Sequence, residues 1–182
     1  MKIISGKYKG RILEGFDITG TRPTMDRVKE SLFAMIQEKI PNSVVLDLFS
    51  GSGNLGIEAL SEGASFAYLV DSNRKAIQTI ERNLAKIGIS NASTLFLDYQ
   101  KAIHYFSLEN IKLDIIFLDP PYNSNFLEKS INLILKEDIL NVNGILVCES
   151  NSLDKIIYPE KLEILKQKKY GDKYVVILKK IC

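Results

Sequence analysis

Val44-Val45-Leu46-Asp47-Leu48-Phe49-Ser50-Gly51-Ser52-Gly53-Asn54-Leu55-Gly56 starts as an apolar run of strand length, breaks at three glycines and leads into a helix-like pattern. Gly51, Gly53 and Gly56 have the G-x-G-x-x-G spacing of a strand, tight turn and helix, which brings backbone close to a nucleotide-like ligand. Asp47 narrows the choice of ligand. A carboxylate inside an apolar run is costly to bury unless something pairs with it. It would repel a dinucleotide pyrophosphate and hold a ligand that carries an ammonium.

Outward from this stretch the chain alternates strand and helix. Before it, Thr24 is a candidate N-cap for a helix running to Ile40, with Val28, Leu32, Ile36 and Ile40 forming one buried stripe. After it come a helix over Asn54–Ser61, a strand over Phe66–Val70, a helix over residues 73–87 and a strand over Ser93–Leu97. A short helix over residues 99–107, a strand over Leu113–Leu118, a helix over residues 125–136 and a strand over Gly144–Cys148 complete the alternation. Continuous apolar strands joined by helical crossovers give a parallel sheet covered on both faces. The final segments, Leu162–Lys168 and Lys173–Lys179, flank Tyr170-Gly171-Asp172 and read as an antiparallel hairpin. An open, mostly parallel Rossmann-like sheet with that ending is the layout of class I methyltransferases. Lys2–Ser5 and Arg11–Leu13 read as a small hairpin outside the main fold. Residues 1–20 are therefore expected to form a basic arm, and residues 21–182 the domain.

The 182 residues suffice for one domain with a full core, and 46% hydrophobic with 25% charged residues is ordinary for a soluble globular protein. No signal-peptide pattern and no membrane-spanning run is present, so a cytoplasmic protein without a membrane partner is expected, and a monomer. With one histidine and two cysteines outside any cluster, no metal site is expected. Charge is uneven: residues 1–31 carry 7 Lys and Arg against 4 Asp and Glu, residues 32–150 carry 9 against 14, and residues 151–182 carry 8 against 4. Basic ends around an acidic centre suit a polyanion held at the margins of a pocket that binds something cationic.

Asp47, Asp71, Asp98, Asp119 and Glu149 fall at or near the ends of five successive strands. In an open α/β sheet those ends form one ligand-binding edge. A single Asp there is a common helix cap; five together point to a site lined with acceptors. S-adenosylmethionine offers an ammonium for Asp47, a ribose for Asp71 with Ser72 beside it, and an adenine amine for Asp98 with the Tyr99 backbone.

Asp119-Pro120-Pro121-Tyr122 follows the fourth strand of the alternation. Two prolines fix φ and remove two backbone donors, leaving the Asp119 carboxylate and the Pro120 carbonyl as pre-set acceptors. Tyr122 adds a flat face for a stacked ring. A planar exocyclic amine fits this arrangement. Its lone pair is delocalised into the ring, and two acceptors drawing its N–H groups toward tetrahedral geometry localise that pair and aim it at a methyl group. No strong general base is needed, and His104 is read as a helix residue without a catalytic role.

The whole chain resembles the RsmD-type small-subunit ribosomal RNA guanine-N2 methyltransferases. Ile3-Ile4-Ser5-Gly6-Lys7-Tyr8-Lys9-Gly10-Arg11 is similar to the family's basic arm, and Thr21-Arg22-Pro23-Thr24-Met25-Asp26-Arg27-Val28-Lys29-Glu30 to its first-helix signature. Asp47-Leu48-Phe49-Ser50-Gly51-Ser52-Gly53 matches the cofactor loop, with Asn54 where a small apolar residue is more usual, and Asp119-Pro120-Pro121-Tyr122 the catalytic motif. Lys169-Tyr170-Gly171-Asp172 resembles the turn of the terminal hairpin. The resemblance implies methylation of a guanine amine in ribosomal RNA, on the small subunit or an assembly intermediate. It implies catalysis by Asp119, Pro120 and Tyr122, and S-adenosylmethionine held by Asp47, Phe49, Ser50, Gly51, Gly53, Asp71, Ser72, Asp98 and Tyr99. Lys7, Lys9, Arg11, Arg22 and Arg27 are its candidate phosphate contacts. Three other readings stay open on the sequence. Adenine-N6 DNA methyltransferases share the tetrapeptide, an NAD-dependent oxidoreductase shares the glycine spacing, and a non-catalytic RNA-binding assembly factor could share the fold.

Overall fold

A computed structural model describes residues 1–15, 23–122 and 124–182, without the side chains of Pro23 and Thr24. The Thr24 cap, Arg22 and the arm–domain boundary at residue 20 lie outside the described residues. The elements are α1 (Pro23–Ile36), β1 (Val44–Asp47), α2 (Asn54–Ser61), β2 (Phe66–Asp71), α3 (Arg74–Ile87), β3 (Ala92–Phe96) and α4 (Tyr99–Leu108). They continue with β4 (Leu113–Leu118), α5 (Phe126–Lys136), β5 (Leu140–Ser150), β6 (Leu162–Tyr170) and β7 (Lys173–Lys180).

Seven strands form one sheet in the order β3-β2-β1-β4-β5-β7-β6. The five strands β3 to β5 pair in parallel, while β7 is antiparallel to both β5 and β6. Alternate residues of each central strand feed opposite faces, as the pleat requires. Val45, Ile115, Phe117 and Val147 pack with Leu32, Phe33, Ile57 and Ile80 of α1, α2 and α3. Leu46, Ile116, Leu118 and Cys148 pack with Ile103, Phe106, Ile131 and Ile134 of α4 and α5. The sheet is thus buried on both sides, and strand order reverses direction between β1 and β4, which opens a crevice at their carboxyl ends.

Three details depart from the sequence expectation. The first helix stops at Ile36 and tightens into a 3-10 turn over Gln37–Lys39, so Ile40 completes the apolar stripe from outside the helix. β5 begins at Leu140, four residues early, because a register irregularity opposite Leu113–Ile115 absorbs the Asn141–Asn143 stretch, where Asn143 has φ 65°.

The third concerns residues 1–15, which do not stand outside the fold. Lys2 and Ile12 form an antiparallel bridge, and the side chains of Ile3 and Leu13 are buried in the same core as α1–α3. The buried Glu58 of α2 fastens this segment: its carboxylate accepts from Ile4 N and Ser5 N at 3.0 Å each. Lys29 Nζ of α1 lies 2.7 Å from Glu58 and also donates to Lys2 O and to Asn54 Oδ1, so all three ammonium protons are used. Asn54 is thereby one of the groups that satisfy Lys29. Gly6, at φ +79°, lies so close to Ser61 that a Cβ would sit 1.8 Å from its carbonyl oxygen. On α3, Asn83 accepts from Glu14 N and donates to Glu14 O and Ser52 O, tying the other end of the segment to the glycine loop.

Candidate active site

The glycine loop takes its shape from Asp47. This residue ends β1, is 2% exposed, and accepts from Gly56 N at 3.0 Å in the first turn of α2. Ser50 Oγ donates to the Asp47 carbonyl at 2.7 Å, and Gly53 N donates to Ser50 O. Gly53 turns the chain at φ +85°, and Gly56 is required by packing, since a Cβ there would meet Leu69 Cδ2 at 2.1 Å. Burial, more than the nearby Asp71 and Glu149, raises the Asp47 pKa to about 7 against the pull of the Gly56 hydrogen bond. The backbone offsets only part of the cost of burying this acid, and Asp47, Ser50 and Gly53, all expected to hold the cofactor, do not line the cavity above the loop.

Above the loop is a cavity of about 730 Å³, within the size range of nucleoside-type sites. It is lined by Phe49, Gly51, Asp71, Ser72, Asp98 and Tyr99 from the expected set, and by Asp119, Pro120 and Tyr122 of the tetrapeptide. Asp71 organises one wall, accepting from Gly51 N at 2.9 Å and Asn73 N at 2.8 Å. Asp98 caps α4 through Lys101 N at 2.9 Å. Phe49, Tyr99 and Phe126 cluster with ring centroids 5.0–6.4 Å apart, making an aromatic wall.

On the other side of the tetrapeptide lies a second cavity of about 730 Å³ that includes Tyr122, Ser124, Asn125, Glu149, Lys155 and Ile157. Pro120, Pro121 and Tyr122 line both cavities. Hydrogen bonds fix the segment: Ser124 N and Oγ donate to Pro121 O, and Lys155 Nζ donates to Tyr122 O at 3.0 Å. The Pro120 carbonyl has no such partner among the described residues.

The five strand-end acids divide clearly. Asp47, Asp71 and Asp98 accept from backbone N–H groups, and Glu149 pairs with Lys173 Nζ at 3.3 Å. Asp119 alone accepts no hydrogen bond from the described residues. Ringed by protein yet open to the cavity, it has its pKa raised to about 8 by burial first and Glu149 second, with Lys173 opposing and Asp47 adding to the rise.

Sequence reasoning missed several lining residues: Leu48, Leu97, Gln100, Phe126, Lys129 and Lys173. Lys173 was within reach of it, because an antiparallel strand following a parallel sheet starts at the edge where the parallel strands end. Of the expected phosphate contacts, the four that the structure describes line neither cavity. Lys7, Lys9, Arg11 and Arg27 are exposed. The Lys7 backbone N–H bonds Ser61 O at the far end of α2, a helix length, about 12 Å, behind the loop. His104 is exposed on α4, with Nδ1 3.7 Å from Glu137, and lines neither cavity. Among the described residues no His, Cys, Asp and Glu group is arranged to hold a metal, and no helix is long and apolar enough to cross a membrane.

Comparison with known proteins agrees with this geometry. The family described as conserved hypothetical protein 95 matches residues 1–179. The chain is 39% identical to the putative rRNA methyltransferase YlbH of Bacillus subtilis over 99% of both sequences. It is 36% identical to ribosomal RNA small subunit methyltransferase D of Escherichia coli K12, over 82% of this chain and 74% of that protein. The solved structure of the putative methyltransferase yhhF from Escherichia coli superposes with a TM-score of 0.89 at 30% identity, covering 100% of this chain and 98% of the other. With the family matched over residues 1–179 and relatives 36–39% identical over most of the chain, the chain belongs to the RsmD-type methyltransferase family.

Proposed function

We propose that this protein transfers the methyl group of S-adenosylmethionine to the exocyclic N2 amine of a guanine in small-subunit ribosomal RNA. The observation that carries the reading is a pair of acceptors without a hydrogen-bond partner among the described residues: the Asp119 carboxylate, which lines the first cavity, and the carbonyl of Pro120, a residue that lines both. The names of the relatives support ribosomal RNA as the substrate, and the family resemblance supports guanine N2.

The residues lining the first cavity fit the donor. Gly51, at φ +56°, has open space where a Cβ would project, so a ligand can lie against its backbone. Asp71 and Ser72 suit the ribose hydroxyls, and the Phe49–Tyr99–Phe126 wall with Asp98 suits adenine. Asp47 would contribute through its charge and through the loop it holds. When bound, S-adenosylmethionine supplies a methyl group on a positively charged sulfur.

The acceptor base enters from the second cavity and lies on Tyr122. Asp119 and Pro120 O each accept one amine N–H, which localises the nitrogen lone pair and aims it across the wall. After transfer, Asp119 takes the surplus proton, a task matched to a carboxyl whose pKa is raised to about 8. Lys7, Lys9, Arg11 and Arg27 would grip phosphates of the RNA away from the target base, and Arg22 is proposed with them from its sequence position alone.

The test is methyl transfer from labelled S-adenosylmethionine to small ribosomal subunits from cells lacking this protein, with duplex DNA in parallel, followed by nucleoside mass spectrometry. N2-methylguanosine in ribosomal RNA is expected. Label on adenine, or on DNA alone, would overturn the reading.

A further inference from the structure

Behind the tetrapeptide, side chains from three other strands converge on Asp119. Asp47 ends β1, Asp119 follows β4, Glu149 is the penultimate residue of β5, and Lys173 opens β7. Three of the four are acids. Lys173 is the cation that offsets them at Asp119; Lys129 of α5 lines the same cavity but does not figure in the Asp119 balance.

Lys173 is not a loose surface lysine. Its Nζ lies 3.3 Å from Glu149 Oε2 and 5.4 Å from the centroid of the Tyr122 ring, and Glu149 is only 8% exposed. The antiparallel register holds it there: Glu149 faces Val175 and Ser150 faces Tyr174, so the strand start lies against the reaction edge. Burial works to lower the ammonium's pKa, but Glu149 first, and then the neighbouring Tyr122 and Asp119, outweigh it. Lys173 therefore stays charged across the working range.

We propose that Lys173 is a positioning residue for the methyl-accepting amine: anchored on Glu149, it braces the Tyr122 ring as the stacking face and keeps Asp119 in its acceptor form. Lys173 and Glu149 do this through Tyr122 and Asp119, without touching the reacting nitrogen, and the role depends on the methyl-transfer reading given above. A flexible ammonium can serve carboxylate and ring together, and its single positive charge lies where three carboxylates would otherwise repel one another.

The experiment measures initial rates of methyl transfer to small ribosomal subunits across the neutral and alkaline range, for the wild type, Lys173→Met, Lys173→Gln and Lys173→Arg. Calorimetric binding of S-adenosylmethionine accompanies it. The wild-type kcat/KM is expected to rise along a limb set by Asp119. Lys173→Met should move that limb upward by about one pH unit, an approximately tenfold loss below the limb, with donor affinity close to wild type. Lys173→Arg should return the limb to its original position. Should Lys173→Met fail to fold, Lys173→Gln carries the test: it keeps a polar head beside Glu149 without the charge and should move the limb upward as Lys173→Met does. A limb that stays where the wild type has it in Lys173→Met, or in Lys173→Gln, overturns the proposal. A wild-type protein that transfers no methyl to ribosomal RNA overturns the methylation reading beneath it instead.

Discussion

Lys29→Met would remove the ammonium that the structure surrounds most completely. Lys29 is 2% exposed and Glu58 fully buried, 2.7 Å apart, and the lysine also satisfies Lys2 O and Asn54 Oδ1. Methionine fits the stem but leaves a buried carboxylate with backbone donors alone. Breaking a buried pair from one side costs about 3–5 kcal/mol. That is a large share of the roughly 5–15 kcal/mol that holds a domain folded. For a chain of this size the melting temperature should fall by roughly 10 °C. Urea titration followed by circular dichroism gives the free energy, alongside Glu58→Gln and the double variant. The amide introduced by Glu58→Gln keeps an oxygen for Ile4 N and Ser5 N but carries no charge. The double variant should therefore be more stable than the sum of the singles implies, by at least about 1 kcal/mol. Strict additivity, or a loss below about 1 kcal/mol in Lys29→Met, would refute the view that this pair fastens residues 1–15 to α1 and α2.

Asp119→Ala should abolish turnover while leaving S-adenosylmethionine binding largely intact; wild-type turnover in that variant sinks its assigned role. Stability should fall with rising pH: Asp47, Glu62 and Asp119 have pKa values raised to about 7, 7 and 8 by burial first. Their stabilising contribution is complete below the unfolded carboxylate pKa, near 4, and is lost as pH rises through 7 to 8. Thermal melts of the ligand-free protein from pH 5 to 8 check this, and Asp119→Asn should flatten the slope. Gly56→Ala should destabilise by about 1–3 kcal/mol despite the better helix propensity of alanine, because its methyl group must displace Leu69. An unchanged denaturation midpoint would contradict that packing.

Periodicity and turn chemistry made most of the sheet legible. The strand alternation, the glycine loop, the Asn54–Ser61 helix and the Tyr170-Gly171-Asp172 turn all rest on local spacing, and each corresponds to an element of the structure. Pairings between residues far apart in sequence were not legible in this way. Glu58 looks like a polar residue on a helix face until Lys29 and the Ile4–Ser5 backbone close around it. Residues 1–15 lack a long apolar pattern, so two buried side chains, Ile3 and Leu13, give little signal of docking. At the site, five acids were visible but their partners were not. Asp47 suggested a waiting ligand ammonium, whereas Gly56 N already takes one of its oxygens. The distinguishing property of Asp119 is the lack of such a partner among the described residues, and no spacing rule reports that.

The strand order also has a consequence for synthesis on the ribosome. β7 lies between β5 and β6, so the central sheet cannot be finished from its own parallel strands. When residues 44–150 have emerged, β5 still presents an unpaired apolar edge, the kind of surface that seeks another strand. Closure waits for residues 162–180 to fold back as a hairpin and insert with β7 innermost. The same insertion delivers Lys173 to Glu149 and Tyr122. A nascent chain that already carries its glycine loop and tetrapeptide therefore still lacks the charge balance around Asp119, and the competent site forms in the step that seals the sheet.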